Sequence, residues 1–275
     1  MNIRVSGAIV LYNNNRQMLE DAIKSFLSND WIECLYLVDN SPSDSLSDLK
    51  LLDSRIIYIF NPSNPGFGAA HNIALKKSIE NSVKYHLVLN PDVYFDNSVM
   101  ETLTEFMEEN VDIGNVMPLV KYPDKSIQYV CKLLPTPYDW IGRRFNPIKS
   151  MVEKRNLLFE LKFTGYNNIM DVPYLSGCFM FLRCDVIKKV GMFDENIFMY
   201  GEETDLCRRI IDKGFRTVFY PDVSIYHHFA KGSHKSWRLT KIGIKSAIYY
   251  FNKWGWFFDK RRKEINSNTL DKLKR

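Results

Sequence analysis

The chain has 275 residues, of which 45% are hydrophobic and 25% charged, as in ordinary folded proteins. This composition excludes a fibrous or largely disordered chain, and the length allows one large α/β domain or two small ones. The formal charge of +5 is unevenly distributed. Residues 231–275 contain thirteen basic and three acidic side chains, a net +10, so residues 1–230 carry −5.

Strand and helix patterns alternate over the first part of the chain. Short apolar runs that end in turn-forming residues predict four strands, at residues 5–11, 34–38, 56–60 and 86–89. Apolar residues at helical spacing predict helices between them, at 19–27, 67–81 and 99–107. This βαβ rhythm predicts a parallel sheet with helices on both faces.

The pattern changes after residue 120. Residues 121–170 contain four prolines and predict a long connection with its own local structure rather than a second domain. Regular elements then return, as a broken strand at 174–182, a helix at 202–213 ended by Gly214, and strands at 216–220 and 223–226.

The five cysteines are widely spaced and form no CxxC pair, unlike a secreted disulfide framework. No apolar run is long enough for a transmembrane helix, and no cleavage site follows the run at 5–11. We therefore expect reduced, mostly buried thiols and a cytoplasmic protein.

Polar residues at the carboxyl ends of the strands are candidates for ligand binding, because parallel sheets bind ligands at that edge. Asn90 and Asp92 project to the same side and offer oxygen ligands to a hard cation, although turn formation alone would explain them. His227 and His228 end the last strand. Adjacent strand residues face opposite ways, so at most one of them reaches a given site.

A second group of candidates lies at the start of the helix at 202–213. Glu202, Glu203 and Asp205 complement the helix dipole there. The apolar residues before them predict partial burial, which raises the pKa of a carboxylate and suits it to general-base catalysis. Arg208 could pair with these acids or with phosphate. The loop at 61–68 could present backbone N–H groups to a diphosphate, but it matches neither Walker A nor GxGxxG.

Taken in order, these motifs resemble the family 2 glycosyltransferases, and in particular the rhamnosyltransferase-like members that build bacterial surface polysaccharides such as O-antigen. The similarity extends over about residues 3–255. The matching segments are residues 8–13, 37–41, 64–72, 89–92, 193–195, 199–208 and 226–228.

The resemblance implies an α/β fold of the GT-A type, with a mostly parallel central sheet flanked by helices and a C-terminal amphipathic helical tail. We expect a catalytic domain at 1–230 and a basic, aromatic tail at 231–275. The domain would divide into a nucleotide-sugar-binding half at 1–120 and an acceptor-binding and catalytic half at 121–230.

The resemblance also implies roles for individual residues. Glu203, with Glu202 beside it, would be the general base. Mg²⁺ or Mn²⁺ would bind Asp92 and either His227 or His228. Gly177, Asp205 and Arg208 would support the acceptor. The nucleotide sugar would contact Leu11, Tyr12, Asp39, Asn40, Gly66, Phe67, Asn72, Asn90 and Asp92.

The implied reaction is inverting transfer of a sugar to a hydroxyl of a lipid-linked or growing polysaccharide acceptor. L-rhamnose from dTDP-rhamnose is the first choice of donor, ahead of a UDP-sugar. Two alternatives stay open. One is a metal-dependent sugar nucleotidyltransferase, although the loop after the first strand suits it poorly. The other is a non-catalytic glycan- or lipid-binding module, which the departures from the family pattern at Asn90 and Glu203 would allow.

The tail interleaves aromatic and basic residues and has three interpretations: a helix packed on the catalytic domain, a segment lying on anionic lipid, or a nucleic-acid-binding element. The first two are compatible, and nucleic acid ranks last. Because acceptors in the resembled family are often lipid-linked, we expect peripheral association with the inner face of the plasma membrane through this tail.

Overall fold

A computed structural model describes residues 3–143, 146–228 and 237–274. The first part of the chain alternates strands and helices, as the sequence predicts. Its strands are β1 (Val5–Leu11), β2 (Ile32–Asp39), β3 (Ile56–Phe60), β4 (Tyr85–Leu89), β5 (Val93–Tyr94) and β6 (Ile113–Lys121). Its helices are α1 (Arg16–Leu27), α2 (Phe67–Glu80) and α3 (Ser98–Glu109), with a 3₁₀ turn at Ser47–Leu51.

The second part is less regular. Its strands are β7 (Cys131–Lys132), β8 (Met170–Asp171), β9 (Tyr174–Leu175), β10 (Phe179–Arg183) and β11 (Arg216–His227). Its helices are α4 (Lys149–Phe159), α5 (Cys184–Val190), α6 (Glu202–Asp212), α7 (Trp237–Trp254) and α8 (Lys260–Leu273).

Nine of the strands form one central sheet, in the order β3-β2-β1-β4-β10-β6-β11-β5, with β8 also paired to β11. Strands β1 to β4 are parallel, and β11 is parallel to β6. Strand β10 runs antiparallel between β4 and β6. The residues before β10 therefore lie at the same edge as the carboxyl ends of its parallel neighbours, and the backbone N–H of Asn90 donates to Cys178 O at 2.9 Å.

Three predicted strands differ from those observed. The strand expected at 174–182 is two strands of different sheets, because β9 pairs with β7 in a small two-stranded sheet whereas β10 enters the central sheet. The two strands expected at 216–226 are one strand, β11, whose register shifts between Tyr220 and Ser224. Strand β6 and helix α5 are additions to the predicted elements. All five cysteines are free and buried, as predicted.

The tail packs on the catalytic part of the chain. Ala247, Tyr250 and Phe251 of α7 are buried in a cluster with Trp140 and Ile141. Residue 237 is the first described residue of the tail, so Lys231 and Lys235 lie outside the described part. Packing is thus the interpretation that the structure supports for α7 and α8. Within the three described ranges, no helix is long and apolar enough to cross a membrane.

A buried ion pair joins α6 to the tail. Arg208 donates to the two carboxylate oxygens of Asp259 at 2.5 and 2.9 Å, and each side chain is only 3% exposed. The guanidinium also lies 4.2 Å from the centre of the Trp254 ring. On the same side, Asp205 accepts from Arg209 at 2.8 Å and from the Trp254 indole at 2.8 Å.

We expect Arg208→Met to destabilise the fold by about 3 kcal/mol or more, because it leaves the Asp259 carboxylate buried without its cation. Arg261→Met is the matched control. It breaks the Arg261–Asp212 pair of the same interface, where Arg261 is 42% exposed, and should cost less than about 1 kcal/mol. Urea unfolding of the three proteins measures both changes, and equal losses would contradict the assignment.

Candidate active site

The ends of the first three strands are tied into one unit. The Asn40 N–H donates to Leu11 O at 2.9 Å, and the Asn61 N–H donates to Asp39 O at 2.7 Å. The Asp39 carboxylate is fully buried and accepts from Ser41 N at 2.8 Å and from the Tyr58 hydroxyl at 2.6 Å. The carboxylate is thus held in a fixed orientation within this unit.

The other predicted contacts to a nucleotide at these strand ends differ in exposure. Leu11 and Asn40 are buried, and the Asn40 side chain accepts from Asn61 at 2.8 Å. Tyr12 is half exposed. Tyr12 is therefore the member of this group whose side chain is open to a ligand.

Gly66 and Phe67 begin helix α2 against the segment that leads into α6. Gly66 has φ +107°, and a Cβ there would lie 2.2 Å from Phe198 O, so only glycine fits. The Phe67 N–H donates to that same oxygen at 2.8 Å. This close approach brings the predicted donor loop beside the predicted catalytic helix.

Asn72, predicted to contact the nucleotide sugar, has a different position. Its side-chain amide donates to Phe193 O at 2.9 Å and accepts from Phe193 N at 3.0 Å, and the residue is buried. Both ends of the amide are therefore used to hold α2 against the chain that precedes α6. We assign Asn72 a structural position because these bonds satisfy the side chain internally.

Asp92 and His227 meet at the carboxyl edge of the sheet. Asp92 Oδ1 lies 3.3 Å from His227 Nε2. Burial would lower the pKa of His227, but the neighbouring Cys178 and Asp92 outweigh it and raise that pKa to about 10. His228 points elsewhere, with its ring centre 5.3 Å from that of Tyr94. The geometry thus selects His227, not His228, as the partner of Asp92.

Gln128 orients the His227 ring. Its amide nitrogen lies 2.6 Å from His227 O and 3.3 Å from Lys121 O, two groups that only accept hydrogen bonds. Its amide oxygen therefore faces His227 Nδ1, at 3.1 Å, and Nδ1 carries a proton. This arrangement directs Nε2 toward Asp92, and a metal ion bound there would displace the second ring proton from Nε2.

The pair fits a divalent cation. Two neighbouring ligands about 2.1 Å from an octahedral ion are about 3 Å apart, close to the observed separation of the Asp92 and His227 atoms. Among the described residues, no group of three or more His, Cys, Asp or Glu side chains is placed so that it could hold a metal ion. Water and phosphate oxygens would then complete the shell, as is usual for Mg²⁺. Asn90 adjoins the pair in sequence and is partly buried.

Glu203 lies in the first turn of α6 and is held at both carboxylate oxygens. Oε1 accepts from the Tyr174 hydroxyl at 3.0 Å, and Oε2 accepts from Gly201 N at 2.9 Å. Burial and the Glu203 charge raise the pKa of Tyr174 well above its ordinary value, so the hydroxyl keeps its proton and remains a donor. These two donors stabilise an ionised Glu203.

Glu202 beside it is in a different environment. It is buried, its Oε2 has no hydrogen-bond partner among the described residues, and burial together with the Glu203 charge raises its pKa well above the ordinary value. Adjacent carboxyl groups in such different environments take different protonation states. The raised pKa favours the protonated form of Glu202, whereas the two hydrogen-bond donors at Glu203 favour a carboxylate there.

Glu203 faces a cavity of about 430 Å³. The cavity lies between α4, α7 and the small sheet, and its wall includes Tyr174, Trp140, Glu203 and Thr240. Gly177 lies against Glu203 on another side, where a Cβ would be 3.6 Å from the side chains of both Phe67 and Glu203. Glu203 therefore stands between the donor loop and the cavity, where a base can reach a substrate hydroxyl.

Asp205 and Arg208 do not line this cavity. Their side chains turn to the tail, as the ion pairs above show, because residues three apart on one helix share a face. Any support that they give to an acceptor is therefore indirect, through the position of α6.

Three functional neighbours escape sequence reasoning. Tyr174, Gln128 and Trp140 orient Glu203, His227 and Gly201 respectively. Tyr174 and Gln128 lie in or beside the weakly patterned connection. Trp140 is one of several aromatic residues between prolines in this connection. Its contact with Gly201, which has φ +111°, leaves no signal in the sequence.

The geometry agrees with the comparisons to known proteins. The sequence model of Glycosyl transferase family 2 matches residues 6–191, and the chain belongs to this family. It is therefore a glycosyltransferase, and its fold is of the GT-A type.

Named relatives are more specific. The chain is 27% identical over 268 residues to rhamnosyltransferase WbbL of Escherichia coli K12, covering 92% of this chain and 94% of the relative. It is 25% identical over 256 residues to dTDP-rhamnosyl transferase RfbF of Shigella flexneri, covering 91% and 78%. It is 26% identical over 171 residues to the N-acetylglucosaminyl-diphospho-decaprenol L-rhamnosyltransferase of Mycobacterium tuberculosis, covering 60% and 53%.

The fold itself is similar to solved structures. A crystal structure of GalNAc-T7 with UDP, GalNAc and Mn²⁺ superposes with a TM-score of 0.60 at 15% identity. The match covers 82% of this chain and 43% of that one. Such low identity supports the architecture and leaves the substrates of this chain to be proposed.

Proposed function

We propose that this protein transfers a sugar from a nucleotide-diphosphate donor to a hydroxyl of a lipid-linked or growing polysaccharide acceptor, with inversion. L-rhamnose from dTDP-rhamnose is the first choice, supported by the similarity to three rhamnosyltransferases. A UDP-sugar is the second choice. The observation that carries the proposal is the Glu203 carboxylate, held by two donors at the mouth of a cavity.

Glu203 acts as the general base. The Tyr174 hydroxyl and the Gly201 N–H hold its carboxylate in place, and the acceptor hydroxyl gives up its proton to it while the oxygen attacks the anomeric carbon. The bond from that carbon to the donor phosphate breaks in the same displacement. Donor and acceptor would be held on either side of Glu203 and aligned for this attack. This alignment contributes part of the rate acceleration.

Asp92 and His227 would hold Mg²⁺ or Mn²⁺, with Gln128 fixing the ring. When bound, the ion neutralises negative charge on the diphosphate. Tyr12 and the segment at Gly66 and Phe67 would line the nucleotide sugar on the same edge of the sheet, beside the Asp39 unit.

We expect Glu203→Gln to lower the transfer rate by about 10²–10⁴-fold, the usual worth of a positioned base, while donor binding survives. Release of nucleoside diphosphate from a panel of nucleotide sugars measures turnover. Glu202→Gln is the matched control. It replaces a neutral carboxyl with a neutral amide and should change the rate little. Near-normal turnover by Glu203→Gln would remove it from the role.

We expect Asp92→Ala to lower Mn²⁺ affinity by more than about 100-fold. Mutation of a residue that only hydrogen-bonds to a metal ligand already lowers metal affinity about 10–100-fold, and Asp92 would be a ligand itself. Calorimetry with Mn²⁺ tests this without relying on turnover. Asp96→Ala, at an exposed carboxylate four residues away, is the control and should bind Mn²⁺ normally. Full activity of the parent protein in EDTA would defeat the metal assignment.

We also propose a peripheral position on the cytoplasmic face of the plasma membrane. Phe257 and Phe258, between α7 and α8, are 75% and 98% exposed. Lys260, Arg261 and Lys263 follow within five residues. Exposed aromatic rings beside basic side chains suit an anionic bilayer surface.

Co-sedimentation with vesicles of phosphatidylglycerol and phosphatidylcholine tests this position. We expect the parent protein to pellet with these vesicles and the Phe257→Ser, Phe258→Ser double variant to lose most of its binding, because the rings supply the buried apolar area. Leu51→Ser changes an equally exposed apolar side chain outside the tail and should bind like the parent. Absence of binding by the parent would defeat the proposal.

A further inference from the structure

Lys132 brings a cationic side chain into the wall of the Glu203 cavity. It lies on β7, directly opposite Tyr174 of β9 in the small sheet. Its Nζ is 5.2 Å from the centre of the Tyr174 ring, whose hydroxyl donates to Glu203. The cation and the catalytic carboxylate thus flank one tyrosine.

The other charged groups of the cavity wall have partners. Asp139 accepts from Arg155 at 2.6 Å. Glu160 pairs with Arg143 at 3.3 Å and with Lys162 at 2.8 Å. Lys132 has no carboxylate oxygen within 4.0 Å anywhere in the part of the chain that the structure describes, which makes it the exception in this wall.

A partly buried ammonium without a carboxylate partner is unfavourable. Burial lowers the pKa of Lys132, even though Glu160 and Glu203 oppose that shift from a distance. A bound anion would remove the penalty, and the cavity has the volume to admit one beside Lys132.

We propose that Lys132 is an anion-binding residue of the acceptor site and receives a phosphate group carried by the acceptor. The proposal rests on the proposed function and deepens it. Lys132 shares its cavity with Glu203, whereas neither Asp92 nor His227, which would face the donor diphosphate, lines that cavity. Lysine binds phosphate as a compact point charge. If Lys132 binds a phosphate next to the accepting sugar, the reacting hydroxyl of that sugar would lie at Glu203.

The binding test uses inorganic pyrophosphate alone, in EDTA so that no metal-dependent donor site competes. We expect Lys132→Met to weaken pyrophosphate binding about tenfold or more by calorimetry, and Lys132→Arg to retain most of it, since a charge-assisted contact is lost only in the first. Lys76→Met removes the same charge from the exposed side of α2 and should bind like the parent. Equal affinity of the parent and Lys132→Met would overturn the anion site, whether or not the protein transfers sugar.

The kinetic test separates acceptor from donor. With an active donor and a phosphate-bearing acceptor, Lys132→Met should raise the acceptor KM about tenfold or more and leave the donor KM unchanged. Lys132→Arg should restore the acceptor KM. A rise confined to the donor KM would overturn the assignment to the acceptor. Absence of turnover in the parent protein contradicts the proposed function and leaves the pyrophosphate result standing on its own.

Discussion

Helix α6 carries Glu203, the proposed base, and the attachment of the tail, and the rest of the candidate site depends on how this helix is held. Its first turn places Glu203 in the cavity, and its opposite side carries Arg208, which is buried against Asp259. At its start, Gly201 has no room for a side chain, since a Cβ would lie 2.3 Å from the Trp140 ring. Trp140 in turn packs on Tyr250 and Phe251 of α7. The position of Glu203 is therefore set by Trp140 and by the C-terminal tail.

The uneven charge of the sequence takes on a structural meaning in this arrangement. The −5 of residues 1–230 and the +10 of the tail are partly matched across the interface. Lys253 contacts both Asp194 and Asp205, Arg261 contacts Asp212, and Lys272 contacts Asp171. Part of the basic charge is thus used in attachment of the tail to the rest of the chain. Nucleic acid is not needed to explain a basic tail.

The sequence predicted those helices and strands that are determined by residues close together in the chain. Leu19, Ile23, Phe26 and Leu27 recur at helical spacing and all are buried in α1. The predicted strand at 56–60 and helix start at 67 have the observed bounds, because turn residues and glycine mark their ends. The rule that parallel sheets bind ligands at their carboxyl edge singled out residues 61–66 and Asp92 from the sequence. Glu203 was singled out separately, by its place at a helix start and by the family resemblance.

What escaped prediction depends on partners distant in sequence. Asn72 looks like a ligand contact until Phe193 is seen at both ends of its amide. Asp205 and Arg208 look like site residues because they follow Glu203 at close spacing, yet the tail decides which way they face. The break at Gly177 was visible, but the separation of β9 from β10 into two sheets requires β7, which is only two residues long. Pairing of so short a strand leaves almost no pattern in a sequence.

The segment around β7 connects the two parts of the candidate site. Gln128 binds the His227 ring and backbone, and four residues later Lys132 enters the cavity of Glu203. The segment is held between them, since Gln128 N donates to Val120 O and the Tyr166 hydroxyl bonds to both the N–H and the C=O of Cys131. A displacement of this segment would move His227 and the Lys132 side chain together. The connection that sequence patterns describe as irregular therefore links the Asp92–His227 pair to the cavity of Glu203.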